Sequence, residues 1–535
     1  MPKQKTKATS QPPLFAGKDN GKDKHNTKAS LSSLIKSARD IMRKDAGLNG
    51  DLDRLPQLSW ILFLKCYDDL EMRREEDVKL SRQAYKPVIP PPYRWRDWAS
   101  DEEYGATGED LIKFVNDGLL PALRGLSGSD ERLKVAEVFK ETYNRMLSGY
   151  LLRDVVNLVD NIHFQSKDEI FTLAHLYESM LKEMRDAAGD SGEFYTPRPV
   201  VKLIVDRVKP RLGETVLDPA CGTGGFLVEA YEYLKPKVKN AKEQENLQIR
   251  TLFGVEKKPL PYLLSTMNLL LHGIETPDIR RDNALKNPLN EIGEKDRFDV
   301  IVTNPPFGGE EEPGIQLNFP ENTRASETAL LFMQFIMRSL TKGGRSGVVV
   351  PNGFLFGDGV AARIKAQLLR DFNLHTIIRL PNGVFAPYTS IPTNLLFFDR
   401  PSTSRGLDTP FAKNAQGYST SGATDEIWFY EHILPEGVKN YTKTRPMQFE
   451  EFQPILDWWD APQRVENERA WKVRAADVIR TNGGGDVVSV NLDIKNPSRK
   501  EDLEHLPPAE LAESILAKEK QIAAIMEEIK GLLAK

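Results

Sequence analysis

Short apolar runs alternate with amphipathic stretches across the middle of the chain, from Val201 to about Asp399. The runs have the length of buried strands, and the stretches between them carry apolar residues at helical spacing. This alternation predicts an α/β fold with a doubly wound sheet. The predicted strands span 214–218, 251–256, 298–304, 345–351, 374–381 and 393–400, and the predicted helices lie near 224–235, 259–272, 326–341 and 360–371.

The N-terminal part of the chain has a different pattern. Between residues 30 and 190, apolar residues recur at spacings of three and four, as in SLSSLIKSARDIMRK, LLRDVVNLVDNI and DEIFTLAHLYESMLKEMRDA. This spacing predicts an N-terminal helical domain. Residues 1–29 mix lysines with Gly, Pro and Asn without an apolar period, which predicts a disordered basic tail. Such a tail can contact nucleic acid, or it can be a solubilising or cloning-derived segment.

The C-terminal part predicts a junction and a helix. We assign residues 191–480 to the α/β domain and 481–535 to a glycine-hinged junction followed by a coiled-coil-like helix. Within the α/β domain, the polar stretch 401–425 is typical of a long loop. The final helix has a near-heptad apolar seam, formed by Leu511, Ile515, Ile522, Ile525, Ile529 and Leu532. This seam can pair with a helix of a partner or pack on its own domain.

Composition narrows the classes of protein that fit. The formal net charge is −4, which neither indicates nor excludes nucleic-acid binding, because a basic groove can lie on an acidic protein. The two cysteines, Cys66 and Cys221, are far apart and lack metal-type spacing, so we expect no zinc site and a reducing cytoplasm. No secretory leader is visible, and no apolar run is long enough to span a membrane.

A glycine-rich turn follows the first predicted strand, in VLDPACGTGGFL (216–227). Glycines at a strand-to-helix turn let the backbone approach a ligand, and the free N–H groups of the helix face polar oxygens. The string differs from G-x-G-x-x-G and resembles the S-adenosylmethionine loop of methyltransferases. The cofactor-binding residues predicted in this loop are Asp218, Ala220, Gly222, Thr223, Gly224 and Gly225.

Acidic and amide side chains end the next two predicted strands. Glu256 stands where a carboxylate accepts hydrogen bonds from the ribose hydroxyls of a nucleoside cofactor. Asp282 and Asn283 follow a probable strand near Ile279, and Asp282 can accept a hydrogen bond from the adenine amino group. The simpler alternatives are a solvated acid at the strand end and a turn cap, respectively.

The segment GEFYTPRPVVKLIVDRV (192–208) predicts the start of a helix. Thr196 suits the N-cap and Pro197 the first helical turn. Phe194 and Tyr195 precede the cap, and Arg198 follows it. A free helix N-terminus can receive a carboxylate, such as that of the methionine part of the cofactor. We therefore assign residues 194–198 to the cofactor site.

The stretch FDVIVTNPPFGG stops an apolar strand at Asn304, Pro305, Pro306 and Phe307. An amine conjugated to an aromatic ring is a poor nucleophile, because its lone pair is delocalised. Two acceptors aimed at its hydrogens, the Asn304 oxygen and the Pro305 carbonyl, would favour a nucleophilic nitrogen. Phe307 can stack on a base that has been flipped out of a duplex. This chemistry requires neither a metal nor a covalent enzyme intermediate.

These segments together resemble the amino-methylating DNA methyltransferases, and the glycine loop preceding NPPF matches their adenine-N6 branch. More closely, the chain is similar to the modification (M) subunit of type I restriction–modification systems. The segments that carry this likeness are GEFYTPR, DPACGTGGFL, FGVE, NPPFGG, LPNGVFAPYTSIPTNLLFF, IWFYEH and NLDIKNP. The resemblance covers residues 30 to 535, with Glu193 where the family more often has Gln.

The resemblance implies S-adenosylmethionine as methyl donor and adenine N6 in duplex DNA as acceptor. It also implies a separate specificity (S) subunit that reads the target, with two M subunits per S subunit, and a restriction (R) subunit for cleavage. Two alternatives stay open from the residues alone. One is methylation of a glutamine amide or of guanine N2 in RNA, because those enzymes also use N-P-P. The other is a binding module with an inactive core.

Overall fold

The computed structural model describes most of the chain. The described residues are 28–80, 85–100, 105–162, 196–385, 391–402, 423–442, 445–484, 486–498, 516, 518–523 and 525–526. The basic tail as far as residue 27, the predicted helix DEIFTLAHLYESMLKEMRDA and most of the predicted loop 401–425 therefore lie outside them. Among the described helices, none combines the length and the apolar character that crossing a membrane requires.

The N-terminal region is helical, as its periodicity predicts. Its elements are α1 (Lys28–Met42), α2 (Asp51–Leu80), α3 (Trp95–Trp98), α4 (Gly108–Lys113), α5 (Leu120–Arg124), α6 (Asp130–Phe139) and α7 (Gly149–Asp160), with a π-helical turn over Phe114–Leu119. The centre of α2 is buried on all sides, and Trp60 has no exposed surface. This domain contacts the edge of the sheet, where Arg281 donates to Glu137 Oε1 over 3.3 Å.

Over its described residues, the α/β domain is built on a nine-stranded sheet. Its strands are β1 (Val216–Asp218), β2 (Leu252–Glu256), β3 (Asp278–Arg281), β4 (Phe298–Thr303), β5 (Leu340–Pro351), β6 (Asn373–Arg379), β7 (Thr393–Asp399), β8 (Glu426–Glu431) and β9 (Ala470–Arg474). They lie side by side in the order β3-β2-β1-β4-β5-β7-β6-β8-β9. The described helices of this domain are α8 (Arg198–Val208), α9 (Gly225–Leu234), α10 (Ala241–Ile249), α11 (Pro259–Leu271), α12 (Pro313–Gln316), α13 (Thr328–Ser339), α14 (Asn352–Leu355), α15 (Val360–Asp371) and α16 (Gln453–Asp460).

The strand order places a switch point beside β1. This strand pairs in parallel with β2 on one side and with β4 on the other. In such a sheet, ligands bind outside the carboxyl ends of the strands where the order reverses. The glycine loop after β1 and Asn304 after β4 therefore stand at neighbouring strand ends.

The predicted strands are confirmed, with one notable difference at β5. This strand begins at Leu340, five residues earlier than the predicted start at Arg345. Its first residue pairs with Phe298 across an irregularity in the register, ahead of the regular pairing from Arg345 onward. The glycines at 343 and 344 hid this extension, because glycine is unfavourable inside strands.

The boundary predicted at residue 480 falls inside a packed unit. The chain continues as a hairpin of β10 (Ile479–Thr481) and β11 (Val487–Val490). Val487, Val490 and Leu492 are buried in the same apolar cluster as the inner faces of β5 and α15. The described part of the junction thus belongs to the α/β core. Farther on, the helical positions Ile522 and Ile525 are 62% and 56% exposed.

Close packing of α8 on β5 sets the depth at which the helix lies. A Cβ added at Gly347 of β5 would lie 2.6 Å from Ile204 Cγ2 and 3.1 Å from Val208 Cγ1. Both of those side chains belong to α8. The absence of a side chain at Gly347 therefore lets the helix that follows Thr196 approach the sheet.

We expect Gly347→Ala to lower the free energy of unfolding by about 1–3 kcal/mol, because the added methyl overpacks this contact. Gly353→Ala is the matched control, since an added Cβ at Gly353 meets no atom within 4 Å. We expect that control to keep the stability or raise it by up to about 1 kcal/mol, because alanine is favoured over glycine in a helix. Equilibrium urea unfolding of the full chain, followed by circular dichroism, measures both. Equal effects of the two substitutions would contradict the packing argument.

Candidate functional site

The loop between β1 and α9 depends on glycine at two positions. Gly222 has φ +52° and Gly224 has φ +78°, in the left-handed region that side chains disfavour. At Gly224 space is also short, because an added Cβ would lie 2.6 Å from Leu269 Cδ1. The glycine pattern thus reflects a tight turn pressed against α11.

A buried amide of α11 holds this loop. Asn268 has no exposed surface, and its Nδ2 donates to the Thr223 carbonyl over 2.9 Å. The loop is also fixed from the strand side, where the Cys221 N–H donates to the Val255 carbonyl over 3.0 Å. The sequence analysis missed Asn268. The available signal was an asparagine inside an otherwise apolar helix, PLPYLLSTMNLLL.

Glu256 ties together the loops that follow β1, β2 and β3. Its Oε2 accepts from the Gly222 N–H over 3.0 Å, and its Oε1 accepts from the Lys258 N–H over 2.7 Å. Its backbone carbonyl accepts from the Asp282 N–H over 3.0 Å. This carboxylate is therefore an organising group of the strand ends, and the interpretation as a solvated acid is wrong.

Burial changes the acidity of two carboxyl groups here. It raises the pKa of Glu256 to about 7, although the N–H groups of Lys258 and Gly222 favour the carboxylate. Burial likewise raises the pKa of Asp218 to about 7, against the Ala220 N–H that donates to its Oδ1 over 3.2 Å. Near neutral pH both groups therefore lie close to the midpoint of their titration.

Asp282 and Asn283 shape a turn as well as lining the site. Asp282 Oδ1 accepts from the Asn283 N–H over 2.9 Å, and Asn283 Oδ1 accepts from the Leu285 N–H over 3.0 Å. The turn-cap alternative is therefore real for both. Asn283 Nδ2 also donates to Glu311 over 3.2 Å, and Glu311 pairs with Lys257 at 3.3 Å. The sequence analysis missed Glu311, which lies in a loop without a recognisable pattern.

The segment before α8 differs from the prediction at its cap. The helix begins at Arg198 with Pro197 at the N-cap position, so Thr196 is not the N-cap and Pro197 is not in the first turn. A second proline, Pro199, occupies that turn instead, because its missing N–H costs nothing there. A Cβ on Gly225 would lie 2.6 Å from Arg198 Nη1, so this segment meets the glycine loop. The predicted site residues Phe194 and Tyr195 lie outside the described residues.

Asn304 directly follows β4, as predicted, and contacts Thr196. Its Nδ2 donates to Thr196 Oγ1 over 3.0 Å. Its Oδ1 is buried and has no hydrogen-bond partner among the described residues. Pro305 is buried, and the ring of Phe307 lies 6.2 Å from that of Phe385 with an interplanar angle of 65°. Phe385 lies in the stretch LPNGVFAPYTSIPTNLLFF but is not among the site residues predicted from the sequence.

One cavity gathers much of the predicted site. Seven predicted residues line it: Ala220, Gly222, Glu256, Asp282, Asn283, Asn304 and Pro306. Phe332 of α13, 5% exposed, forms an apolar part of the wall and was missed. Over the described part of the chain, no group of three or more His, Cys, Asp and Glu side chains could hold a metal ion.

Comparison with known proteins shows which family the chain belongs to. The family model described as N-6 DNA Methylase matches residues 167–504, and the model described as the HsdM N-terminal domain matches residues 31–159. The Type I restriction enzyme EcoEI methylase subunit of Escherichia coli is 46% identical over 515 residues, covering 94% of this chain and 98% of that protein. The chain belongs to the methylase subunits of type I restriction enzymes, within the N-6 DNA methylase family.

Two solved structures resemble most of the chain. A modification subunit ascribed to a type I restriction enzyme of Vibrio vulnificus YJ016 is 53% identical, with a TM-score of 0.79 over 91% of this chain and all of that one. A chain from work on complex assembly and conformational transition of the type I R-M system is 40% identical, with a TM-score of 0.75 over 95% and 99%. The predicted fold class, with its N-terminal helical domain, is thereby confirmed. The predicted enzyme class is also confirmed: the chain is an N6-adenine DNA methyltransferase, the modification enzyme of a type I system.

Proposed function

We propose that this type I methylase subunit transfers a methyl group from S-adenosylmethionine to N6 of an adenine turned out of duplex DNA, beside Asn304. The observation that carries the proposal is the buried Asn304 Oδ1, an acceptor without a partner among the described residues. An unpaired buried acceptor is costly, so it calls for a donor from a ligand. An exocyclic amine supplies such a donor.

Asn304 and its neighbours prepare the amine for reaction. The Asn304 Oδ1 and the Pro305 carbonyl accept its two hydrogens, which draws the nitrogen lone pair out of conjugation with the ring. The consecutive prolines restrict the backbone, so the two acceptors keep their directions. Phe307 stacks on the base, and Phe385, whose ring lies 6.2 Å from that of Phe307, closes the apolar side.

The cavity residues fit the cofactor, because Glu256, Asp282 and Asn304 supply acceptors and Gly222 lines the cavity without a side chain. Glu256 accepts the ribose hydroxyls, and Asp282 with Asn283 binds the adenine edge. The glycine loop, from Asp218 to Gly225, borders the methionine part. Arg198 and the backbone of Thr196 and Pro197 would lie beside the carboxylate at the start of α8, and Phe194 and Tyr195 are assigned to this part of the site from the sequence alone. When bound, S-adenosylmethionine supplies an electrophilic methyl group.

Partner subunits complete the enzyme in this proposal. A specificity subunit reads the DNA target, with two methylase subunits per specificity subunit, and a restriction subunit joins for cleavage. The contact runs through the C-terminal helix, whose Ile522 and Ile525 are 62% and 56% exposed. The formal net charge of −4 fits shared DNA binding, in which partners supply part of the affinity. The complex acts in the cytoplasm.

The affinity for S-adenosylmethionine should fall as the pH decreases. Ribose hydroxyls donate best to ionised Glu256, and its pKa of about 7 in the free protein makes the acid protonate as the pH falls through neutrality. We expect a loss of up to ~10-fold per pH unit below that value. Calorimetric titration at several pH values measures the slope. Glu256→Gln should bind more weakly with a flatter slope, and an unchanged slope would contradict this role.

Asn304→Ala should abolish methylation and keep cofactor binding. Removing the acceptor takes away an interaction made with the reacting amine, so we expect the methyl-transfer rate to fall by about 100-fold or more. Tritium transfer to DNA by the complex with the specificity subunit measures the rate, and calorimetry measures S-adenosylmethionine affinity. Asn304→Asp is the graded control, because it keeps an oxygen acceptor and should retain more activity than Ala. Unchanged methylation in Asn304→Ala would refute the role of Asn304.

Co-expression tests the dependence on a specificity subunit. The chain is expressed alone, and with the specificity subunit encoded beside it, in a host without DNA methylation. We expect N6-methyladenine at a split motif only in the co-expressed sample, as read by sequencing genomic DNA. Methylation by the chain alone would mean that it reads DNA itself. No methyladenine in either sample, with cofactor binding intact, would favour glutamine or RNA guanine as the substrate.

A further inference from the structure

Thr196 and Asn304 come from segments 108 residues apart and meet at the reacting end of the site. Asn304 Nδ2 donates to Thr196 Oγ1 over 3.0 Å. This bond uses the nitrogen end of the amide, and the other end, Oδ1, is buried and without a partner among the described residues. The amide is thus anchored at one end and open at the other.

The Thr196 hydroxyl is available for this contact because it does not cap the following helix. The N-cap position of α8 is taken by Pro197, and no side chain caps the helix there. The two prolines around Arg198 fix the backbone at the start of α8. Packing of this helix on β5 at Gly347 then sets its distance from the sheet. Thr196 is therefore held by rigid neighbours on its C-terminal side.

An asparagine amide needs such an anchor, because its terminal torsion is broad and roughly two-fold. Rotation by a half turn would present the NH₂ group in place of the oxygen. A target amine also offers hydrogens, so two donors would then face each other and the lone pair would stay in the ring. While the Asn304 nitrogen donates to Thr196 Oγ1, the oxygen faces the substrate, and without the hydroxyl this orientation of the amide is not held.

We infer that Thr196 is a positioning residue for methyl transfer, which holds the Asn304 amide so that Oδ1 faces the target amine; this inference rests on the proposed function. The role differs from that of a cofactor-binding group. Thr196 acts through Asn304 on the acceptor substrate, and its loss slows the reaction within a complex that is already assembled. The segment before α8 thereby serves the DNA side of the site as well as the cofactor side.

The test compares Thr196→Val with Thr196→Ser in the full chain, co-purified with its specificity subunit. Valine keeps the branched shape and removes the hydroxyl, whereas serine keeps the hydroxyl. Single-turnover methylation of a target duplex at saturating S-adenosylmethionine gives the transfer rate. Calorimetry gives the cofactor affinity, and a fluorescent duplex gives the DNA affinity. We expect Thr196→Val to slow transfer by about 5- to 10-fold, the worth of one hydrogen bond. Because Thr196→Val removes only the hydroxyl and keeps the backbone on the cofactor side, the cofactor and DNA affinities should each fall by less than the transfer rate does, and Thr196→Ser should restore most of the rate.

Other outcomes overturn the inference in distinguishable ways. A wild-type rate in Thr196→Val would show that the hydroxyl does not position Asn304. A weaker cofactor affinity with an unchanged transfer rate would show that Thr196 acts only in cofactor binding. A Thr196→Ser as slow as Thr196→Val would show that a hydroxyl at this position does not restore the rate, and would overturn the role of its hydrogen bond. If the wild-type complex itself makes no N6-methyladenine, the proposed function fails, and the inference fails with it.

Discussion

The geometry of the site depends on the hydrogen bonds that the Glu256 carboxylate accepts. This carboxylate accepts the Gly222 N–H at 3.0 Å and the Lys258 N–H at 2.7 Å, while the carbonyl of the same residue accepts the Asp282 N–H. Three loops that belong to adjacent strands are thereby fixed to one residue. A charge removed from water costs several kcal/mol unless hydrogen bonds offset it. The backbone donors offset part of this cost, and the raised pKa of Glu256 shows that they do not offset all of it.

The sheet order explains why the remaining groups reach the same place. With β1 between β2 and β4, the glycine loop and Asn304 follow neighbouring strands, which lie about 4.8 Å apart. The segment before α8 does not follow a strand of the sheet, so another contact must bring it to the strand ends. That contact is the packing of α8 on β5 at Gly347, where the helix occupies the space that a side chain would take. The close approach of a helix to β5 and the contact between Thr196 and Asn304 are therefore linked.

The strands, the glycine loop and the NPPF corner could be predicted from the sequence, because each is encoded in a local run. The hydrophobic pattern predicted β1, β2 and β4. The polar residues at the ends of β2 and β4 then predicted Glu256 and Asn304 as site residues. The missed groups have roles that a local pattern does not reveal. Asn268 acts across a helix–loop contact, and Glu311 lies in an irregular loop. The Thr196–Asn304 bond joins residues 108 positions apart, so only the fold reveals it. The same holds for the boundary at 480, since burial of Val487 and Val490 depends on α15.

Some hydrogen-bond acceptors of the site lack a donor among the described residues. Asn304 Oδ1 is buried without a partner among the described residues, and burial raises the pKa of Asp218 and of Glu256 to about 7. Each of these groups is stabilised by a donor or a proton. Hydroxyl groups of a ribose and amino groups of adenines are donors, and they would arrive at complementary places: the sugar at the end of β2 and an amine at the end of β4. A ligand rich in acceptors, such as a pyrophosphate, would worsen the same deficit. In the proposed function, the acceptors of the cavity therefore favour a nucleoside cofactor without a pyrophosphate, in agreement with a glycine loop that departs from G-x-G-x-x-G.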